Sequence, residues 1–259
     1  MDRISKNSSD RNLYQTCHAL SRGYKHEGRF QVTIKAVVFD LDGTLAEFNL
    51  DYKTVRAEVM QFLINQSFPA SIFSINESIF EMLKKAEVFM RNKGKKEEFS
   101  AVQKRVLNIV FKHEIKAAHE TSLIPGVFET LKILKNANLK LAIFTISSEK
   151  STDLILHNFR LEQFFDAVIT RENVSRVKPD PSHLAAALKA LDVNNEEVIV
   201  VGDSVVDMRS AKALNVKAAV GIVPESDATK KLSQAGATYT IKSITELPNL
   251  ITDIDKNKP

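Results

Sequence analysis

The feature of this sequence that most constrains its fold is a series of short, β-branched runs that alternate with helical patterns. The runs are Ile34–Asp40, Leu139–Thr145, Ala167–Thr170, Glu197–Gly202 and Ala218–Val223. Each is nearly continuous in apolar residues, which is typical of a strand buried on both faces of a sheet. Helical patterns separate the later runs, at Val127–Asn136, Lys150–Phe159, His183–Leu191, Ser204–Leu214 and Ala228–Gln234. The alternation predicts βαβ units with right-handed crossovers.

One long segment interrupts this alternation. Residues 49–124 show amphipathic helical patterns at Tyr52–Gln66, Glu77–Asn92 and Lys96–Glu120, without a convincing strand. The segment is far longer than a crossover between two strands needs. We therefore predict an α/β fold, in which a Rossmann-like parallel sheet core of residues 34–48 and 125–259 carries an inserted helical cap of residues 49–124.

The charge of the chain is concentrated at its beginning. Residues 1–33 carry six Lys and Arg against three Asp and Glu, whereas the rest of the chain carries 30 against 29, out of totals of 36 and 32. Residues 1–33 show no sustained period, so we predict a flexible basic N-terminal tail. The near-neutral remainder lacks the basic stripe of a nucleic-acid binder, and we predict no nucleic-acid partner.

Cysteine content and hydropathy bear on the compartment. Cys17 is the only cysteine, so the chain cannot form an internal disulfide and does not resemble a disulfide-built secreted domain. No apolar run approaches the ~20 residues that cross a bilayer. We predict a cytoplasmic protein that does not contact a membrane.

Acidic, hydroxyl and cationic side chains follow the ends of the predicted strands. They are Asp40, Asp42, Thr145, Lys178, Asp203 and Asp207. Because ligands of open parallel sheets bind at the carboxyl ends of the strands, we expect these groups to lie close together.

Electrostatics indicates what such a group binds. Two carboxylates 4 Å apart repel by about 4 kcal/mol at an effective dielectric of ~20, so an uncompensated cluster would hold a proton. Mg²⁺, which prefers a few carboxylates together with water and phosphate oxygens, removes the repulsion. Lys178 and Thr145 supply a point charge and a hydroxyl donor that suit a phosphoryl group. The set therefore predicts phosphoryl transfer.

The segments FDLDGTL and GDSVVD, the threonine that ends the second strand and the lysine of KPDP occur in a distinctive order and spacing. In this respect the sequence resembles the haloacid dehalogenase-like hydrolase superfamily. It is most similar to the branch with a helical cap between the first two motifs, which includes phosphoglycolate phosphatases. The resemblance covers about residues 34–250 and leaves the basic tail unexplained.

The resemblance implies a role for each matching position. Asp40 would be the nucleophile that becomes a phospho-aspartate, and Asp42 would protonate the leaving oxygen and then activate water. Mg²⁺ would be held by the Asp40 and Asp203 carboxylates and by the backbone carbonyl of Asp42. Asp207 would orient this metal site without binding the ion.

The resemblance also assigns the substrate contacts. Thr145, the backbone amide of Ile146 and Lys178 would hold the oxygens of the transferring phosphoryl group. Ile146 stands where members of the superfamily often have Asn or Ser, so a side-chain contact from that position is lost while backbone donation remains.

The function expected is a Mg²⁺-dependent phosphatase, similar to phosphoglycolate phosphatase, that acts on a small phosphorylated metabolite as a monomer or homodimer. Two alternatives remain open at this point. One is a phosphomutase of the β-phosphoglucomutase type, which passes the phosphoryl group to a sugar. The other is a non-catalytic binding protein on the same fold, although every core motif residue is present. Dehalogenation is disfavoured because that chemistry needs neither Mg²⁺ nor Asp42.

Overall fold

Eight strands and nine helices lie in the part of the chain that the computed structural model describes, residues 34–47, 49–224 and 228–256. The strands are β1 Ala36–Phe39, β2 Ala46–Glu47, β3 Ser122–Leu123, β4 Lys140–Phe144, β5 Ala167–Ile169, β6 Val198–Gly202, β7 Ala218–Ile222 and β8 Tyr239–Ile241. The predicted tail of residues 1–33 lies outside the described residues.

The helices account for the remaining regular structure. They are α1 Tyr52–Asn65, α2 Ile79–Asn92, α3 Phe99–Glu120, α4 Val127–Asn136, α5 Glu149–Phe159, α6 Pro181–Leu191, α7 Val205–Ala213, α8 Thr229–Ala235 and α9 Leu247–Lys256. A short 3₁₀ turn, Lys96–Glu98, precedes α3. Among the described residues, none of these helices combines the length and the apolar character that crossing a membrane requires.

Six of the strands form one parallel sheet in the order β5-β4-β1-β6-β7-β8. All four residues of β1 are buried, because this central strand has neighbours on both edges and helices over its faces. The predicted α/β fold with a parallel sheet is confirmed.

Register decides which residues emerge together at the carboxyl edge of the sheet. Phe39 at the end of β1 pairs with Ile143 of β4 and with Val201 of β6. The three central strands therefore end at nearly the same level. The residues that follow them, Asp40, Thr145 and Asp203, lie within about one residue of each other along the strand direction. The sheet brings these side chains to one edge although they are far apart in the sequence.

The chain divides into two compact units. One unit contains the sheet and consists of the described residues up to Glu47, Leu123–Ile146, and Leu156 onward. The other consists of residues 49–122 and Ser147–Ile155. Helices α1, α2 and α3 of this second unit bury their own apolar cluster, which includes Val59, Met82 and Val106. The domain boundaries drawn from the sequence stay a prediction. They assign Ser147–Ile155 to the core that contains the sheet, whereas the division described here groups these residues with the helical unit.

Three strands were not predicted from the sequence. The two-residue strands β2 and β3 pair with each other, and β3 lies inside the segment that we expected to lack strands. The edge strand β8 has only three residues, of which two are exposed, so it lacks the apolar run by which the other strands of the sheet are recognised.

Candidate active site

A tight turn after β1 presents Asp40 and Asp42. The backbone N–H groups of Thr44, Leu45 and Ala46 all donate to the carbonyl of Leu41, at 3.3, 2.9 and 3.0 Å. Gly43 makes this turn possible because its φ is +79°, in the left-handed region that favours glycine. The chain thus reverses directly after the buried strand and leaves two carboxylates at the sheet edge.

Lys178 is held between two of the site carboxylates. Its Nζ donates to Asp40 Oδ1 at 2.6 Å and to Asp207 Oδ1 at 2.7 Å, and its side chain is 1% exposed. The same ammonium lies 4.2 Å from the centre of the Phe144 ring, in a cation–π geometry. A buried cation is costly unless it is paired, and Lys178 has two anionic partners.

Asp203 and Asp207 follow β6 and belong to the same acidic group. One carboxylate oxygen from each of Asp40, Asp203 and Asp207 lies within 4.8 Å of the others. Ser204 fixes Asp207 through a capping box at the start of α7, in which Ser204 N donates to Asp207 Oδ2 at 3.0 Å. Asp203 lies close to the turn after β1, since a Cβ on Gly43 would meet its Oδ2 at 2.3 Å.

The negative charges of the acidic group are not balanced by the positive charge of Lys178. Burial raises the pKa of Asp40 well above its ordinary value, and Asp207 raises it further, while Lys178 acts in the opposite direction. Burial and the charge of Asp207 also raise the pKa of Asp203, to about 7. Burial alone would lower the pKa of Lys178, yet Asp207 and Asp40 raise it above the ordinary value. One permanently charged lysine does not neutralise the carboxylates around it.

These observations fit a hard divalent cation. The donor atoms are carboxylate oxygens, which Mg²⁺ prefers, and they converge on one small volume. A dication would remove the repulsion that raises the pKa values of Asp40 and Asp203. The residues present could therefore hold Mg²⁺ at the sheet edge.

The predicted phosphoryl-binding residues lie at the end of β4 and before α6. Thr145 is fully buried, and its backbone N–H donates to the carbonyl of Ile169 at 2.9 Å. Ile146 comes next, and its carbonyl accepts a hydrogen bond of 3.2 Å from Arg171 Nη1. Lys178 meets Asp40 directly. Direct contacts bring Asp40, Lys178, Asp203 and Asp207 together in the structure. The turn after β1 and the register of the sheet bring Asp42, Thr145 and Ile146 to the same edge.

The sequence did not single out two buried basic residues that contact these segments. Arg171 has a side chain that is only 4% exposed, and it contacts the carbonyl of Ile146. His183 is fully buried and accepts a hydrogen bond from the backbone of Lys178. The only sequence feature that could have indicated them is their position: Arg171 follows the third predicted strand, and His183 follows the KPDP segment that carries Lys178.

The comparisons with known proteins agree on one family. The sequence profile of the haloacid dehalogenase-like hydrolases matches residues 37–220. The chain is 29% identical over 229 residues to Pyrophosphatase PpaX of Listeria welshimeri, covering 85% of this chain and 97% of that protein. It is 26% identical over 226 residues to Phosphorylated carbohydrates phosphatase of Thermotoga maritima, covering 85% of this chain and all of that protein.

A solved structure agrees with the fold. A protein from Bacteroides fragilis, described as a haloacid dehalogenase-like hydrolase, superposes with a TM-score of 0.62 at 22% identity. The match covers 83% of this chain and 99% of that one.

Proposed function

Because the chain belongs to the haloacid dehalogenase-like hydrolases, we propose that it is a Mg²⁺-dependent phosphatase that hydrolyses a small-molecule phosphomonoester. The reaction proceeds through a phospho-aspartate on Asp40. The partner is a small phosphorylated metabolite rather than a nucleic acid or a membrane, and the reaction takes place in the cytoplasm in a monomer or homodimer.

The observation that carries this proposal is the arrangement of charges at the sheet edge. Asp40 and Asp207, which are buried, form an acidic group with the half-buried Asp203, and Lys178 bonds to Asp40 and Asp207. Such a group binds a dication and, through it and Lys178, an anion. A phosphate ester is the anionic substrate for which a carboxylate nucleophile beside a lysine is suited.

In the first step, a carboxylate oxygen of Asp40 attacks phosphorus, and the bond from phosphorus to the ester oxygen breaks. Asp42 gives its proton to that oxygen, so the alcohol leaves neutral. Asp42 lies two residues beyond the nucleophile, at the start of the turn in which three N–H groups donate to the carbonyl of Leu41, and this supports its role. General acid catalysis of this kind contributes about 10²- to 10⁴-fold.

In the second step, Asp42 is ionised and takes a proton from water, whose oxygen forms a new bond to phosphorus. The bond from phosphorus to Asp40 breaks, which releases inorganic phosphate and restores both carboxyl groups. Covalent catalysis thus divides one difficult displacement into two easier ones.

The remaining residues stabilise charge. Lys178, the hydroxyl of Thr145 and the backbone N–H of Ile146 hold the oxygens of the phosphoryl group. The carboxylates of Asp40 and Asp203, with the carbonyl of Asp42, would hold Mg²⁺, and Asp207 orients Lys178 through the bond at 2.7 Å. When bound, the cation keeps Asp40 ionised and offsets the negative charge that grows on the phosphoryl oxygens.

The test is a panel of phosphate compounds with the purified chain, in Mg²⁺ and in EDTA. The two relatives are named for pyrophosphate and for phosphorylated carbohydrates, so the panel includes both together with phosphoglycolate. We expect phosphate release in Mg²⁺ only, and loss of turnover to background in Asp40→Asn. Asp253→Asn, which changes an exposed aspartate of α9, is the matched control and should keep wild-type turnover.

Intact-protein mass spectrometry tests the intermediate. Asp42→Asn lacks the base of the second step, whereas the first step still proceeds with an aryl phosphate, whose leaving group needs no proton. With that substrate a phosphate adduct should accumulate in this variant and be absent when Asp40 is also replaced. Retained turnover in Asp40→Asn would refute the nucleophile. Transfer of phosphate to a sugar without release of inorganic phosphate would instead favour the mutase.

A further inference from the structure

We propose that His183 is a positioning residue for the proposed phosphatase reaction, which fixes the backbone at Lys178 so that the ammonium meets the phosphoryl group. The inference rests on the proposed function. His183 lies in the first turn of α6, is fully buried, and takes no part in the chemistry assigned above.

Both ring nitrogens of His183 have backbone partners. The N–H of Lys178 donates to His183 Nδ1 at 3.3 Å, and Nε2 lies 3.3 Å from the carbonyl of Ile169. Because Nδ1 accepts, the ring must carry its proton on Nε2, where it donates to Ile169. The imidazole therefore joins the Lys178 segment to the end of β5.

The neutral ring that this pattern requires is favoured by its surroundings. Burial, and then the charge of Lys178, lower the pKa of His183 to about 4. Near neutral pH the ring is uncharged and Nδ1 keeps the lone pair that accepts from Lys178.

Phe144 links the ring to the other end of Lys178. The His183 and Phe144 rings meet edge to face, with centroids 5.8 Å apart. Lys178 Nζ lies 4.2 Å from the centre of the Phe144 ring. The lysine is thus fixed at its backbone by His183 and at its ammonium by Phe144, Asp40 and Asp207.

A lysine acts on phosphate as a point charge at the end of a flexible four-carbon side chain. The position of that charge therefore depends on the position of the backbone to which the side chain is attached. Misplacement of a reacting or binding group by about 1 Å can cost about 100-fold in rate. His183 supplies the constraint at the backbone end. Removing it should impair the binding and transfer of phosphate more than it impairs folding.

The experiment compares His183→Leu, His183→Gln and Leu188→Ala in the full chain. The first removes both polar contacts, and the second keeps an amide that can accept and donate. Leu188→Ala is the matched structural control, because it empties a buried apolar position of the same helix without a polar contact to Lys178. For each variant, KM and kcat for the best substrate are measured together with the free energy of unfolding.

We expect kcat/KM of His183→Leu to fall by about 10- to 100-fold, in line with a misplaced binding group, and His183→Gln to recover part of the loss. Leu188→Ala should be the less stable protein but should keep wild-type kcat/KM. Wild-type kcat/KM in His183→Leu, or an equal loss in Leu188→Ala, would overturn the inference.

Hydrogen exchange at the amide of Lys178 separates this inference from the proposed function. If the wild type releases no phosphate from any compound, the proposed function fails and the positioning role is judged by exchange alone. Faster exchange at Lys178 in His183→Leu than in Leu188→Ala would then support the role. Equal exchange in the two variants would refute it.

Discussion

Lys178 shows how strongly single residues depend on partners that are distant in the sequence. The sequence identifies it by the KPDP segment, and the same reasoning marks Asp40 and Asp207 by their own motifs. That one ammonium bonds to both carboxylates follows only from the sheet and the loops above it, because Asp40 is 138 residues away. The residues of the site could therefore be predicted from the sequence, whereas the hydrogen bonds between their side chains could not.

Gly43 offers a prediction at this scale, because two constraints coincide there. Its φ of +79° favours glycine, and a Cβ would lie 2.3 Å from Asp203 Oδ2. We expect Gly43→Ala to lose about 1–2 kcal/mol of unfolding free energy from the backbone alone, and to lose most of its phosphatase activity because Asp203 must move. Denaturant unfolding and kcat/KM measure the two effects.

Gly94 is the matched control for this prediction. Its φ is +73°, yet a Cβ there would meet nothing within 4 Å. Gly94→Ala should therefore show a similar loss of stability with wild-type activity. Unchanged activity in Gly43→Ala would mean that Asp203 tolerates displacement and is not needed where the structure places it.

His183 makes stability depend on pH. Because burial and Lys178 lower its pKa in the folded chain from 6.5 to about 4, the unfolded chain binds the proton first as the pH falls. The stabilising contribution is thus present above about pH 6.5 and is lost toward pH 4. Between pH 7 and pH 4 the wild type should lose about 3 kcal/mol more unfolding free energy than His183→Gln.

Denaturant unfolding at a series of pH values measures this difference, since the other titrating groups are common to both proteins. The hydrogen bond to the Ile169 carbonyl and, more weakly, the charge of Asp207 raise the pKa of His183, but burial and Lys178 outweigh them. Leu188→Ala, which removes no titratable group from the same helix, is the control, and its stability should change with pH as that of the wild type does. Parallel curves for the wild type and His183→Gln would show that His183 is protonated as easily in the folded chain as in the unfolded one.

Among the elements, eight of the nine described helices and the buried strands were predicted, whereas helix α9, Leu247–Lys256, and the short strands β2, β3 and β8 were not. Helix α4 begins and ends at the predicted residues, because its apolar period is regular and Gly126 precedes it. The central strands were recognised by uninterrupted apolar runs. Strand β8 is three residues long with an exposed Tyr239, so neither length nor burial distinguishes it from a loop.

Helix α7 joins element stability to the site. Ser204 caps it, with Ser204 Oγ accepting from Asp207 N at 3.4 Å and Asp207 Oδ2 accepting from Ser204 N at 3.0 Å. Ser204→Ala should cost about 1 kcal/mol of stability through the lost cap. It should also lower kcat/KM by about 10-fold or more, because Asp207 loses a partner that holds it against Lys178.

Helix α2 provides the comparison, since Ser78 makes the same kind of capping box with Glu81 and the helix carries no site residue. Ser78→Ala should lose a similar amount of stability and keep wild-type kcat/KM. If both variants keep their activity, the cap of α7 serves the helix alone and Asp207 does not depend on it.

For the molecule as a whole, repulsion within the acidic group lowers the free energy of unfolding, and a bound cation would offset this loss. Two buried carboxylates, Asp40 and Asp207, lie together with the half-buried Asp203, and their mutual repulsion is present in the folded chain but not in an extended one. A fold that keeps such a group is less stable without a ligand than the same fold with one charge removed. This links the ligand of the site to the global unfolding of the chain.

We therefore predict opposite effects of Asp203→Asn in EDTA and in Mg²⁺. In EDTA the variant should unfold at a higher temperature than the wild type, because one repelling charge is gone. With Mg²⁺ at about 100 times its dissociation constant, the wild type should gain about 2.7 kcal/mol, and the variant should gain little. Asp253→Asn, on the surface of α9, should respond as the wild type does. An equal gain from Mg²⁺ in the wild type and in Asp203→Asn would mean that the cation binds elsewhere, and phosphoryl transfer at this edge of the sheet would lose its electrostatic basis.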